Sequence, residues 1–237
     1  LLVGLGGNDT FRYARGDGDD RIDALGGGTN TVVLSDYTVA DVVSAVRAGP
    51  ESDNLVVTFA TQGDRLTLIG ALGAQNGGLR SVALSFADGA VWDRAAMRAR
   101  ALADIVSDGP DKIYGFDGAD LIALTRGGDL GAGRAGADTY VVARGSGATR
   151  VEDDAAEPSV VDRLDLTAFD ASTIGVERLF RGSDTVMMTV AGSGGDSIML
   201  IDALAEDGRG IERYDFAQGV SWTRQTLLDR VANPSVD

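Results

Sequence analysis

The residues of this chain best placed to do chemistry are aspartates, and their spacing is regular. From Gly109 four Gly-x-Asp triplets recur every nine residues: Gly109-Pro-Asp111, Gly118-Ala-Asp120, Gly127-Gly-Asp129 and Gly136-Ala-Asp138. Two residues beyond each aspartate stand Ile113, Ile122, Gly131 and Tyr140, so three of the four repeats carry an apolar side chain at one offset. The 36 acidic residues divide into thirty Asp and six Glu. A solvated helical surface would favour Glu, whereas Asp suits turns, caps and hard-cation sites, where a short carboxylate reaches an ion also held by backbone carbonyls. Glycine serves where the turn takes positive φ and the backbone must approach an ion closely.

A second repeat lies over the first. Asp9-Thr-Phe-Arg-Tyr-Ala-Arg-Gly16 answers Asp138-Thr-Tyr-Val-Val-Ala-Arg-Gly145, and further matched stretches follow in the same order up to Trp92 and Trp222. This ordered similarity gives two tandem modules, 1–105 and 106–237, with the turns of the second over 106–151. In the first module the triplets are Gly7-Asn-Asp9, Gly18-Asp-Asp20 and Gly28-Thr-Asn30, spaced by eleven and ten and followed by Phe11, Ile22 and Val32.

Composition removes several functions. The formal net charge is −15, and the twenty Arg and single Lys are dispersed without a run, so a nucleic-acid footprint has no support. With no Cys and no His, disulfides, thiolate zinc sites, cysteine nucleophiles and Ser-His-Asp triads cannot be built. No apolar stretch is long enough for a membrane span. The chain opens on Leu-Leu-Val-Gly, without a basic segment leading into an apolar one, and reads as an excised fragment without a cleavable signal.

The nine-residue pattern resembles the calcium-binding repeats of the RTX (repeats-in-toxin) family, and the Trp-containing segments resemble the domain that often flanks haemolysin-type repeats. The resemblance implies an all-β fold: a parallel β-roll, that is, a right-handed solenoid of turns, each set followed by a small β-rich cap with a short terminal helix. It implies several Ca2+ ions bound by Gly109, Asp111, Gly118, Asp120, Gly127, Asp129, Gly136 and Asp138, and in the first module by Gly7, Asp9, Gly18 and Asp20. Each ion would sit between turns one coil apart, pairing Asp111 with Asp129 and Asp120 with Asp138. The chain departs from the family pattern at Gly131, which replaces the inward apolar residue, and at Phe116, Thr125 and Arg134, where a second glycine is usual.

Beyond the turns, residues 54–59, 65–69 and 80–86 read as strands, with equivalents at 185–190, 197–201 and 211–216, and both modules close on helix-like runs from Arg94 to Ile105 and from Thr223 to Val231. Trp92 and Trp222 end alternating apolar strands and read as packing residues. Asp17, Asp19, Asp108 and Asp117 read as solvated turn residues, and Asp153, Asp154 and Asp162, past the register, as plain loop.

The resulting expectation is a calcium-binding segment with no catalytic residues of its own, part of a larger secreted or cell-surface bacterial protein. By resemblance it passes unfolded through type I secretion machinery and folds where calcium is abundant, serving as scaffold for other domains of its parent. Two other classes stay open: a structural adhesin or surface-layer segment, and a carboxylate-based polysaccharide lyase or epimerase. Asn233 to Asp237 are either part of a secretion signal or a point of cutting.

Overall fold

A computed structural model describes residues 1–24, 27–73, 81–153, 159–207 and 209–232; Asp154 and Asn233 to Asp237 lie outside the described residues. The chain forms two compact units, Leu1–Asp104 and Ile105–Asp237.

The first unit runs β1 (Leu2–Gly4), β2 (Thr10–Arg12), β3 (Asp19–Ala24), β4 (Thr29–Leu34), β5 (Val42–Arg47), β6 (Leu55–Phe59), β7 (Arg65–Ile69), β8 (Ser81–Phe86), β9 (Val91–Trp92) and α1 (Arg94–Asp104). Its strands form two sheets, β1-β3-β7-β6-β5 and β2-β4-β8-β9. The second unit runs β10 (Lys112–Tyr114), β11 (Leu121–Leu124), β12 (Leu130–Ala132), β13 (Thr139–Val142), β14 (Ala148–Glu152), β15 (Arg163–Leu166), β16 (Ile174–Arg178), β17 (Val186–Val190), β18 (Ser197–Ile201), β19 (Arg213–Phe216), β20 (Ser221–Thr223) and α2 (Arg224–Ala232). It too has two sheets, β10-β12-β14-β18-β17-β16 and β11-β13-β15-β19-β20.

This arrangement corrects the expected all-β parallel β-roll solenoid with a separate cap. Among the described residues the units hold open sheets of mixed strand direction and the α-helices α1 and α2. The strands assigned to the caps belong to the same sheets as the turn strands: β14 pairs in parallel with β18 and β15 with β19, as β3 does with β7 and β4 with β8. Antiparallel strands then extend each sheet, β17 and β16 beyond β18, β20 beyond β19, β6 and β5 beyond β7, and β9 beyond β8. The physical reason is edge satisfaction. The last turn strands present unpaired N–H and C=O groups, and the longer alternating strands that follow pair with them directly.

Side chains alternate along these strands, and the inward set makes the core. In the second unit it includes Ile113, Ile122, Leu124, Leu164, Leu200 and Tyr214, all fully buried. Trp92 and Trp222 are buried as well, against Phe86 and Phe216 with ring centroids 4.9 and 4.3 Å apart. Each helix starts at a side-chain cap: Asp93 accepts the Ala96 N–H at 2.9 Å, and Thr223 accepts the Thr226 N–H at 3.4 Å. Among the described residues no helix is long and apolar enough to cross a membrane.

Gly131 finds its explanation across this core. A Cβ there would lie 3.0 Å from Ile122, 3.1 Å from Leu124 and 3.2 Å from Tyr140, so the side chains of the facing sheet already fill the space. The missing apolar residue of the third repeat is therefore supplied from the opposite wall. Gly131→Val is expected to overpack this layer and cost about 1–3 kcal/mol in chemical denaturation; an unchanged midpoint would show that the layer is loose.

A second set of aspartates fixes the turn between β2 and β3 in the first unit and the turn between β13 and β14 in the second. Asp64, just before β7, accepts the N–H groups of Gly16 and Gly18 at 2.8 and 2.9 Å and the hydroxyl of Tyr37. Asp196, just before β18, accepts those of Gly145 and Gly147, both at 3.0 Å. The Gly16 N–H, followed by the Tyr37 hydroxyl, holds the Asp64 carboxyl below its usual range. A carboxyl whose pKa is depressed by folding stabilises the native state above its unfolded value, about 3.9, and loses that contribution as pH falls through the lower folded value. Asp64→Asn should therefore lower the stability of the first unit by about 2 kcal/mol at neutral pH and flatten its acid-unfolding limb. Urea titrations at pH 7 and pH 3 check both effects.

Candidate metal centre

The site begins with strand register. In a parallel pair, equivalent residues of neighbouring strands sit side by side, so whatever precedes one strand lies beside whatever precedes the next. Leu121 pairs with Thr139, Thr139 with Arg163, and Arg163 with Arg213. The residues one before these are Asp120, Asp138, Asp162 and Glu212. Four acidic side chains thus form a row along β11, β13, β15 and β19. Each carboxylate after the first accepts the backbone N–H of the row member before it: Asp120 donates to Asp138, Asp138 to Asp162 and Asp162 to Glu212, all at 2.8 Å.

The other sheet starts the same way and then loses the pattern. Asp111 donates its N–H to Asp129 at 3.0 Å, but the next two positions are Thr149 and Ile198. Asp129 and Asp120 also bridge back within their own turns, to the N–H groups of Thr125 and Phe116. Burial pushes the Asp129 carboxyl above its usual range, against the lowering effect of its two N–H donors. The same desolvation raises Glu212.

At the middle of the acidic row the two sheets meet. Asp153, the residue after β14, lies with Asp138 and Asp162, and carboxylate oxygens of all three fall within 4.8 Å of one another. They are 2, 1 and 5 % exposed, respectively. Among the described residues this is the one group of three acidic side chains close enough to hold a metal ion together. Tyr140 completes the surroundings. Its hydroxyl accepts the Gly133 N–H at 2.7 Å and lies 3.2 Å from the Glu152 carbonyl and 3.3 Å from Asp153 Oδ2. Burial, with Asp153 and Asp138 beside it, pushes that hydroxyl far above its ordinary range, so it stays neutral. Gly133 is required here, because a Cβ would overlap both the Asp138 carboxylate and the Tyr140 hydroxyl.

Three carboxylates in one buried pocket repel one another, and a bound cation would relieve that repulsion. The three ligand candidates all offer carboxylate oxygen. Hard divalent cations such as Ca2+ and Mg2+ prefer such a set over Zn2+ or copper.

The expected turn residues fall into place unevenly. Asp111 is brought to Asp129 and Asp120 to Asp138, and Gly109 stacks on Gly127 and Gly118 on Gly136, where a Cβ on the later glycine of each pair would strike the backbone of the earlier one. Gly127 and Gly136 also hold positive φ, at 92° and 115°. In the first unit Asp9 precedes β2, while Asp20 lies within β3 in register with Leu66 in the other sheet, so the structure does not bring the two together. Gly7 stacks under Gly28, and Gly18 is engaged structurally, its carbonyl accepting the Tyr13 hydroxyl at 2.6 Å. Of the aspartates read as solvated, Asp19 and Asp108 form exposed ion pairs with Arg65 and Arg126.

Asp153 and Asp162 were expected in plain loop and are instead two of the three buried ligand candidates. One signal was available for Asp162: Asp162-Arg-Leu164 and Glu212-Arg-Tyr214 both keep the acid-x-apolar tail of the repeat without its glycine. Asp153 has no such mark, since it joins the site from the end of a strand.

In sequence comparisons neither a family model nor a curated protein matches this chain.

Removing the Tyr140 hydroxyl leaves the buried Gly133 N–H without that acceptor. Tyr140→Phe should cost about 1–3 kcal/mol in equilibrium unfolding without altering the folded far-UV spectrum; no loss of stability would show that this hydroxyl plays no structural part.

Proposed function

We propose that this chain is a calcium-binding module of an exported protein, whose second unit completes its folding when it acquires the ion. The buried all-oxygen cluster of Asp138, Asp153 and Asp162 carries this reading. Calcium takes about six to eight oxygen ligands in a flexible arrangement and accepts carbonyl and hydroxyl oxygens beside carboxylates, whereas magnesium demands near-octahedral geometry and keeps its waters. A buried site built of carboxylates from three separate strand ends favours the first. Further ions would lie along the turns that carry Asp111, Asp120 and Asp129, as the resemblance of the nine-residue repeats to RTX proteins implies.

The mechanism follows from charge. A chain of net charge −15 repels itself, and the acidic row cannot be assembled cheaply while its members are anionic. Binding and folding then become one event, because the unfolded chain holds no preformed site. At roughly ten times its dissociation constant, calcium stabilises the fold by about 1.4 kcal/mol per site, and at cytosolic concentrations it adds almost nothing. That difference suits a segment that must stay unfolded inside the cell, cross type I secretion machinery and set outside. Its partners are then calcium, that machinery in transit, and the other domains of the parent protein, for which it serves as scaffold.

The test is a calcium titration of chelator-treated protein, followed by far-UV circular dichroism and thermal melting, with magnesium as control and Asp162→Asn as the variant. Asn at 162 keeps an oxygen to accept the Asp138 N–H but removes a charge. Calcium should raise the melting temperature of the wild type by several degrees, magnesium should do much less, and the variant should lose most of the response. A wild-type protein whose melting is indifferent to calcium would overturn the reading.

A further inference from the structure

The two units are copies, and they differ at the candidate metal centre. Register gives the correspondence. Asp9 donates its N–H to Asn30 at 2.9 Å, just as Asp138 donates to Asp162, and Thr10 pairs with Thr31 as Thr139 pairs with Arg163. Asn30 therefore holds the place of Asp162. Thr31 pairs in turn with Ala83, which puts Val82 where the second unit has Glu212. Asp64 and Asp196 clamp equivalent glycine turns, so β3 corresponds to β14 and Ala24 falls at the position of Asp153. Phe11 stands for Tyr140, and Gly4 for Gly133: a Cβ on Gly4 would strike Asp9 and Phe11.

Where the second unit has Asp138, Asp153, Asp162, Glu212 and the Tyr140 hydroxyl, the first thus has Asp9, Ala24, Asn30, Val82 and a plain ring. Asp23 does not restore the set, since it takes the place of Glu152 on the other face of its strand. Asn30 is fully buried, and its amide does two jobs at once. Its Oδ1 accepts from Asp9, and its Nδ2 donates to the Ser81 carbonyl at 3.1 Å. A carboxylate has no proton for that second bond. One carboxylate from Asp9, with one of its oxygens buried and making no hydrogen bond, is too few ligands for a calcium ion.

We infer that cation control belongs to the second unit alone, and that in the first unit Asn30 ties neighbouring strands together by hydrogen bonds where the second unit uses an ion. The inference rests on the calcium reading of Asp138, Asp153 and Asp162. It makes the chain a pair of unlike halves, one that draws no stability from calcium and one conditional on the ion.

Hydrogen exchange followed by mass spectrometry on the intact chain reads each unit separately, with and without calcium after chelation. Chelation should speed exchange in β11, β13 and β15 by about tenfold or more while β2, β4 and β8 change less than about twofold. Equal loss of protection in both units would overturn the inference and leave the calcium reading standing. No loss in either would defeat both. A variant with Phe11→Tyr, Ala24→Asp and Asn30→Asp should make β2 and β4 calcium-dependent; if it folds and stays indifferent, the assignment of these positions is wrong. If it does not fold, the unaltered chain still decides.

Discussion

Parallel strand register is the constraint from which the rest of this structure follows. Neighbouring strands lie about 4.8 Å apart, and in a parallel pair like positions fall beside like. A repeat in sequence therefore becomes a row in space. Apolar residues at the inward offset stack into a core, and acidic residues at the position before each strand stack into a line of carboxylates. The first is favourable by itself. The second brings like charges within a few ångströms, which no fold does without something to offset it. Backbone N–H groups from Asp120, Asp138 and Asp162 offset part of it, each donating to the next carboxylate along. Where Asp153 enters from the other sheet, the charge converges on one point rather than along a line.

The same residue type does a different task a few strands away. Asp64 and Asp196 stand before strands too, but each clamps two glycine N–H groups of a single turn. In Asp64 these donors favour the ionised form, and no second carboxylate competes for it. What separates a structural aspartate from a ligand candidate here is company, not burial. Asp64 is as buried as Asp162, yet it is surrounded by donors rather than by other acids.

Much of this was legible in the sequence. The resemblance to RTX repeats implied that Asp111 meets Asp129 and Asp120 meets Asp138, and the later strands and both helices fall within a residue or two of the expected segments. Strand partners were less visible. Alternation marks β18 and β19 as half-buried strands but says nothing of whether they cap the turn strands or join their sheets, and the mixed architecture turns on that choice. The candidate metal centre was harder still. Asp162 follows Asp138 by twenty-four residues because a longer connection intervenes, so the eye that counts nines passes over it. Asp153 is contributed by proximity between two sheets, a relation that no spacing along one strand encodes. Gly131 misled in the opposite way: it looked like a defect in the repeat, although Ile122, Leu124 and Tyr140 occupy the space that its side chain would need.

The comparison of the units explains how such a site can be gained or lost without disturbing the fold. At several of these positions a side-chain oxygen accepts the N–H of the residue beside it on the neighbouring strand. Asp, Asn and Glu all provide one, and the structure uses all three, at Asp138, Asn30 and Glu212. The hydrogen-bond requirement and the charge are therefore separable. Exchanging a carboxylate for an amide keeps the strand pairing and adds a donor that can bind a carbonyl, as Asn30 binds Ser81. It also removes the repulsion that an ion would otherwise relieve. A duplicated unit can cross between the two states by a few substitutions at positions such as 11, 24 and 30, because neither state asks the backbone to move.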